Sequence, residues 1–249
     1  MKAKEKAQKK AQEIANQLNE TKRTTIKNFA IVMSIIIFTM IILIVMNLFL
    51  PKQYYNANNF DIKTVYSNID YDDDMIDDYS DFVLGAREDM KNKPKYVSKY
   101  YKNGYPPDNE GVCTDVIWRS FKNAGYSLKD MVTNDINTYP EEYPEAVKDS
   151  NIDFRRVRNL EVFFQKYATA LTLNPDSIEQ WQPGDIVIFE DDHIGIISDR
   201  RNFEGITFVI HNGGQPKREE DYLTKSEITG HYRFDASKIP KEVLREWKN

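Results

Sequence analysis

The chain has one cysteine, Cys113, among 249 residues, so no internal disulfide can brace it and stability has to come from an ordinary apolar core. Histidine is nearly as scarce: His193, His211 and His231 are the only three, and spacings of 18 and 20 residues match no compact zinc-ligand motif. No internal repeat and no second domain are visible after the N-terminal region. Positive charge is also lacking there. Of 34 basic residues eight precede Phe29, leaving 26 against 36 acidic ones, which excludes nucleic acid as a partner.

Long hydrophobic runs are absent but for one. Phe29 to Leu50 is a stretch of 22 uncharged, almost wholly apolar positions. At about 1.5 Å per residue it spans roughly 33 Å, enough for a bilayer core. The run ends in Asn47-Leu48-Phe49-Leu50-Pro51-Lys52 without a small-residue cleavage site, and no lipid-accepting cysteine is near. Eight basic residues against three acidic ones stand ahead of it, which predicts a cytoplasmic N-terminus and an extracytoplasmic remainder. The expected organisation is a basic cytoplasmic tail (1–28), a transmembrane helix (29–50), an Asn-, Tyr- and Asp-rich spacer (51–73) and one catalytic domain (74–249).

Within the tail, Ala3, Ala7, Ala11, Ile14 and Leu18 keep helical spacing, which predicts a short solvated helix. Ile76, Tyr79, Val83, Ala86 and Met90 predict another helix with aspartates at its positive end. The acidic run near Asp72 to Asp78 reads as lacking the loop spacing and glycine of a calcium hand. Cys113, Val116, Ile117, Phe121 and Ala124 form one face of a third helix, stopped by Gly125. An irregular, proline-punctuated stretch through Asn137 to Pro144 follows, then a short helix over Asn159–Tyr167. From Gln182-Pro183-Gly184 onward the period changes to that of strands: 185–189, 193–198, 206–211 and a last one near 230–234, before a short C-terminal helix with Val243, Leu244 and Trp247. Helices first and antiparallel strands afterwards describe an α+β domain.

Cys113 opens its helix, where unpaired N–H groups and the helix dipole lower a thiol pKa. If Ser198 pairs with Ile206, the same register sets His193 opposite His211, on one side of the sheet, roughly 5 Å apart at Cβ. That constellation suits a nucleophile (Cys113), a base (His193) and an orienting group (His211), with the Cys113 N–H in an oxyanion hole. The bland alternatives are a small buried hydrophobe for the cysteine and hydrogen-bonded boundary residues for the histidines.

Gly-Val-Cys-Thr-Asp-Val (111–116), Asn-Ile-Asp-Phe-Arg-Arg-Val (151–157), Pro-Gly-Asp-Ile-Val (183–187), His-Ile-Gly-Ile-Ile-Ser-Asp (193–199), Val-Ile-His-Asn (209–212) and Ile-Thr-Gly-His-Tyr-Arg-Phe (228–234) resemble the bacterial family called domain of unknown function 1287, over roughly residues 80 to 235. That family in turn resembles the NlpC-type papain-like cell-wall peptidases. The resemblance implies a papain-like fold, N-terminal helices packed on a small antiparallel sheet, and a Cys113-His193-His211 triad. Thr114-Asp115 stand where NlpC-type enzymes usually have Ser-Gly, which leaves substrate identity open. A tyrosine about a dozen residues before the cysteine lines such sites, and Tyr101 and Tyr105 both qualify. Arg155 could grip a substrate carboxylate or serve a structural ion pair.

The expectation is a single-pass, membrane-anchored cysteine hydrolase that cleaves peptide or amide bonds of peptidoglycan, without cofactor or metal and with an envelope regulator. The rivals are a catalytically silent envelope-binding domain and a thioester-using acyltransferase.

Overall fold

The tail and the apolar run form one continuous helix, α1 (Lys2–Phe49), rather than a short helix followed by a span. Its Thr21, Thr24, Thr25 and Ser34 hydroxyls donate to carbonyls one turn back, so even the polar side chains leave the helix ladder intact. From Phe29 to Val45 the apolar side chains are exposed on every side of the helix, an arrangement that suits hydrocarbon and not water. Among the described residues this is the one helix long and apolar enough to cross a membrane. The structure is a computed structural model describing residues 2–49 and 54–248. The chain divides into two compact units, Met1–Gln53 and Tyr54–Asn249.

The second unit is α+β. Its elements are α2 (Asp78–Asn92), β1 (Lys95–Tyr96), β2 (Glu110–Gly111), α3 (Cys113–Asn123), α4 (Leu128–Thr138), α5 (Val157–Tyr167), β3 (Thr169–Ala170), β4 (Ile186–Phe189), β5 (His193–Arg201), β6 (Thr207–Ile210), β7 (Glu219–Glu220) and β8 (Ile228–Arg233). Strands β3-β8-β4-β5-β6-β7, in that order, make an antiparallel sheet, while β1 and β2 form a separate parallel pair.

Both faces of the sheet are covered, which is why β4 is apolar and buried at every position. Ile186, Ile188, Ile194, Ile196 and Ile210 enter the main core with Phe82, Phe121, Phe164 and Phe234 from the helices and the chain after β8. Val187, Phe189, Ile197 and Val209 face a smaller cluster around Trp181 and Leu223. Each fully buried side chain of this size contributes roughly 1.5–3 kcal/mol. Gly195 is needed for closeness: a Cβ there would come within 2.6 Å of Val209 and 3.2 Å of the His211 Cβ.

Four expectations for the second unit differ from what is found. Residues 51–53 of the expected spacer lie outside the described residues, and from Tyr54 onward that segment is part of the folded unit. Tyr55 pairs with Arg201 through both backbone hydrogen bonds (2.9 and 2.8 Å), and Ala57 and Ile62 are buried. The stretch after α3 is not wholly irregular. It contains α4, capped by Ser127 and packed through Met131, Val132 and Ile136. The C-terminal segment is not a helix; it docks as a turn and bridge, with the Trp247 N–H donating to the Gly125 carbonyl at 2.7 Å. The β5–β6 register sets Ile196 opposite Ile210, a slip of two residues from the one expected, with an irregularity between Ile197 and Arg201.

Candidate functional site

A slip of two preserves which face a side chain occupies, so His193 and His211 remain on one side of the sheet as diagonal neighbours. Their rings meet: His193 Nε2 lies 2.8 Å from His211 Nδ1, with the planes at 83°. Phe189 and Tyr222 wall the pair, Tyr222 lying 4.4 Å from the His211 ring centre. On the far side of His211, Nε2 lies 3.4 Å from Glu220 Oε1 in β7. The hydrogen bond from His211 is the main cause holding the Glu220 carboxyl down at about 2, so it stays ionised.

This chain fixes tautomers. A carboxylate only accepts, so with Glu220 as its partner His211 donates from Nε2 and can offer a lone pair at Nδ1, while the Gln215 amide nitrogen lies 3.3 and 3.2 Å from Nδ1 and Nε2. His193 therefore donates from Nε2, which leaves its Nδ1 unprotonated and able to take a proton. Burial, and secondarily the charge of His211, push His193 down to about 4, so the imidazole is neutral at physiological pH.

Cys113 comes from α3, which begins after an extended Val112, and packs in the main core with Ile194, the residue after His193 and on the other face of β5. The Ile194 N–H, immediately after His193, acts on the sulfur, as do the N–H groups of Thr114 and Cys113. These donors lower the thiol pKa, but burial outweighs them: Cys113 is 5% exposed and its thiol is pushed up to about 11. The expectation of a thiolate stabilised by the helix end is thereby corrected, because desolvation of the charged form exceeds what three N–H groups return. At rest the sulfur keeps its proton and the His193 imidazole is neutral.

The α3 start is built by Asp115, which is fully buried and accepts from the Val112 N–H (2.7 Å), Trp118 Nε1 (2.8 Å) and both Arg155 Nε and a terminal Arg155 nitrogen (2.8 Å each). Arg155 is thus engaged by Asp115 rather than open to a ligand. Tyr101 donates to Glu110 at 2.9 Å with the Arg155 guanidinium 4.9 Å over its ring, and Tyr105 packs among Trp118, Phe154 and Trp247. A further tyrosine, Tyr96, interacts with the cysteine. Burial, and after it the neighbouring Cys113, raise its phenol, and Gly214 sits against it. The pair β1–β2 sets Tyr96 beside Gly111, two residues before Cys113. Buried Asn212 ties the next loop to the same segment, donating to the Gly111 carbonyl at 3.2 Å.

Removing the Asp115 carboxylate orphans a nearly buried guanidinium and an indole N–H. Asp115→Ala is expected to cost about 3 kcal/mol, seen as a fall in Tm of roughly 6–12 °C by circular dichroism. An unchanged Tm would show that Asp115 does not hold the helix start.

His231 belongs elsewhere. It bridges the Thr172 carbonyl (2.7 Å) and Asp185 (3.0 Å) and stacks on Trp181, so among the described residues the three histidines form no common ligand set.

The family described as "Domain of unknown function (DUF1287)" matches residues 83–234, which include Cys113, His193 and His211. The chain is similar to the uncharacterized protein YijF of Escherichia coli (strain K12), 37% identical over 164 residues that cover 60% of this chain and 78% of the relative. No solved structure matches.

Proposed function

The chain belongs to the DUF1287 family, and we propose that it is a membrane-anchored cysteine hydrolase with a papain-like, NlpC-type site that cleaves peptide or amide bonds of peptidoglycan. The observation that carries this reading is the ordered run Glu220–His211–His193, with the N–H of the next residue, Ile194, on the Cys113 sulfur. A half-buried imidazole linked to a buried one and backed by an ionised carboxylate is more than packing requires.

With the proton resting on sulfur, attack and proton transfer are concerted. Cys113 Sγ bonds to the amide carbonyl carbon as His193 Nδ1 takes the thiol proton, and the new imidazolium is supported through His211 by Glu220. The Cys113 N–H at the head of α3 faces the developing oxyanion. His193 then returns the proton to the departing amine as the C–N bond breaks. Water hydrolyses the thioester and restores the thiol.

The apolar α1 supplies the anchor, and the eight basic residues before Phe29 favour a cytoplasmic N-terminus. Protease added to intact protoplasts is expected to digest the chain beyond about Pro51 and leave a protected N-terminal fragment. Protection of the large unit until lysis would remove the wall as its substrate.

Muropeptides incubated with the folded unit from Tyr54 to Asn249 test the chemistry. Mass spectrometry is expected to show two products whose masses together exceed the parent by one water. If an added amine is incorporated in place of water, the enzyme is an acyltransferase. A second reading, a silent domain that recognises wall peptides, is favoured by the burial of Cys113 and its raised thiol pKa. It predicts muropeptide binding with no turnover.

A further inference from the structure

Twelve residues, Asp70 to Asp81, lead into α2, and carboxylates stand at the first, third, fifth, ninth and twelfth of them: Asp70, Asp72, Asp74, Asp78 and Asp81. These are the places from which a calcium loop running into a helix offers side-chain oxygens, the seventh, here Ile76, offering its carbonyl. The acidic run therefore has the spacing it was expected to lack. The sixth place, normally glycine, is Met75, whose φ of 77° is nonetheless in the left-handed region. Its side chain is exposed, so the conformation is met at the cost of backbone strain and not of packing.

One oxygen each from Asp70, Asp72 and Asp74 lie within 4.8 Å of one another, as oxygens around one ion at about 2.4 Å must. Asp70 shapes the loop by accepting the Asp74 N–H at 3.1 Å and the Met75 N–H at 2.8 Å. The separate observation is at Asp81. This residue is 1% exposed; Oδ1 accepts from Asn123 at 2.9 Å, but Oδ2 is buried with no hydrogen-bond partner among the described residues. The Asp74, Asp72, Asp78 and Asp70 carboxylates all act on Asp81, so like charges surround it. A buried carboxylate oxygen without a donor, crowded by like charges, is costly unless a cation completes it. Asp78 differs, since Tyr71 N–H (3.0 Å) and Tyr126 Oη (2.6 Å) occupy its two oxygens, and the ninth place commonly acts through water.

We propose that Asp70, Asp72, Asp74, Asp81 and the Ile76 carbonyl form a calcium-binding loop. It is seated on the C-terminal end of α3, where Asn123 holds Asp81 and Gly125 lies against Asp72. The bound ion would therefore brace the helix that begins with Cys113.

The test uses the full chain in detergent, titrated with calcium while heat of binding and Tm are followed. One ion per chain is expected, with Kd on the order of 10⁻⁴–10⁻³ M, and Tm should rise by roughly 5–10 °C at about a hundred times Kd. Terbium should luminesce on excitation of Tyr71 and Tyr126, whose rings stack at 4.0 Å. Asp72→Asn and Asp74→Asn, both at exposed positions, are expected to fold as the wild type does and lose these responses. Asp81→Asn should lose the response while raising the ion-free Tm, because an amide replaces a crowded carboxylate. Met75→Gly should tighten binding several-fold. No calcium-dependent heat or Tm shift in the wild type would overturn the proposal, as would undiminished binding by the Asp72 and Asp74 variants. An equal Tm shift with magnesium would overturn the assignment to calcium.

Discussion

Cys113→Ala is expected to reduce muropeptide cleavage to background while leaving circular dichroism and the unfolding transition close to those of the wild type. The sulfur is the only atom in the site able to form the thioester, and its removal takes away a single buried heavy atom. The cavity left is small, and the loss of stability should be on the order of 1 kcal/mol. Rates measured on one purified muropeptide, with unfolding curves for both proteins, give the comparison. Equal turnover by the variant would rule out covalent catalysis at this residue, however well the histidines are placed.

The second large effect concerns the two histidines. His193→Ala is expected to lower kcat by roughly 10³- to 10⁴-fold, the upper part of the range for a general base, and His211→Ala by roughly 10²-fold. In this mechanism His193, not His211, takes the thiol proton; the part of His211 is to hold the His193 tautomer and, with Glu220, to stabilise the imidazolium. The pH profile carries the same logic with a definite sign. His193 works as a base only when neutral, and its folded pKa lies near 4, so kcat/KM should be level from about pH 5 upward and fall as pH drops through about 4. Because the resting cysteine is a thiol pushed up to about 11, no alkaline fall from the loss of a thiolate–imidazolium pair is expected up to about pH 9. A bell-shaped profile centred near neutrality would show a preformed ion pair instead. A larger loss at His211 than at His193 would exchange base and orienter.

Much of the fold could be read from periodicity where burial alone decides it. The stripe from Cys113 to Ala124 became α3, and the β-branched runs around Ile186, Ile194 and Val209 became the central strands, because each segment is apolar on the face or faces it buries. Helix α4 escaped notice because Thr133, Asn134, Asn137 and Thr138 are poor helix formers; tertiary contacts hold it, with Asp135 taking bonds from Tyr143, Tyr167 and Lys166. The C-terminal segment misled in the other direction. Val243, Leu244 and Trp247 look helical over a few residues, but hydrogen bonds to the 125–127 turn supply the backbone partners that a helix would have provided.

At the site, residue types were legible and distances were not. The scarcity of cysteine and histidine singled out Cys113, His193 and His211, yet nothing in the string Arg-Glu-Glu-Asp distinguishes Glu220, because only pairing of β7 with β6 brings it to His211. Tyr96 was equally hidden, since its approach depends on a two-residue parallel pair. The helix-end argument for a low thiol pKa treated the first turn as open to water, whereas packing of α3 on β5 buries the sulfur. The Asp70–Asp81 spacing is masked in the sequence because Met75 stands where a glycine would mark the turn, though it adopts the same backbone conformation.

The covalent role of Cys113 is tested most directly by intact-protein mass spectrometry of the wild type, quenched in acid during turnover of muropeptides. The expected result is a mass gain of one acyl fragment, mapped to the peptide containing Cys113 and removed by hydroxylamine. Muropeptide cleavage proceeding while Cys113 stays unmodified at every time point would contradict it.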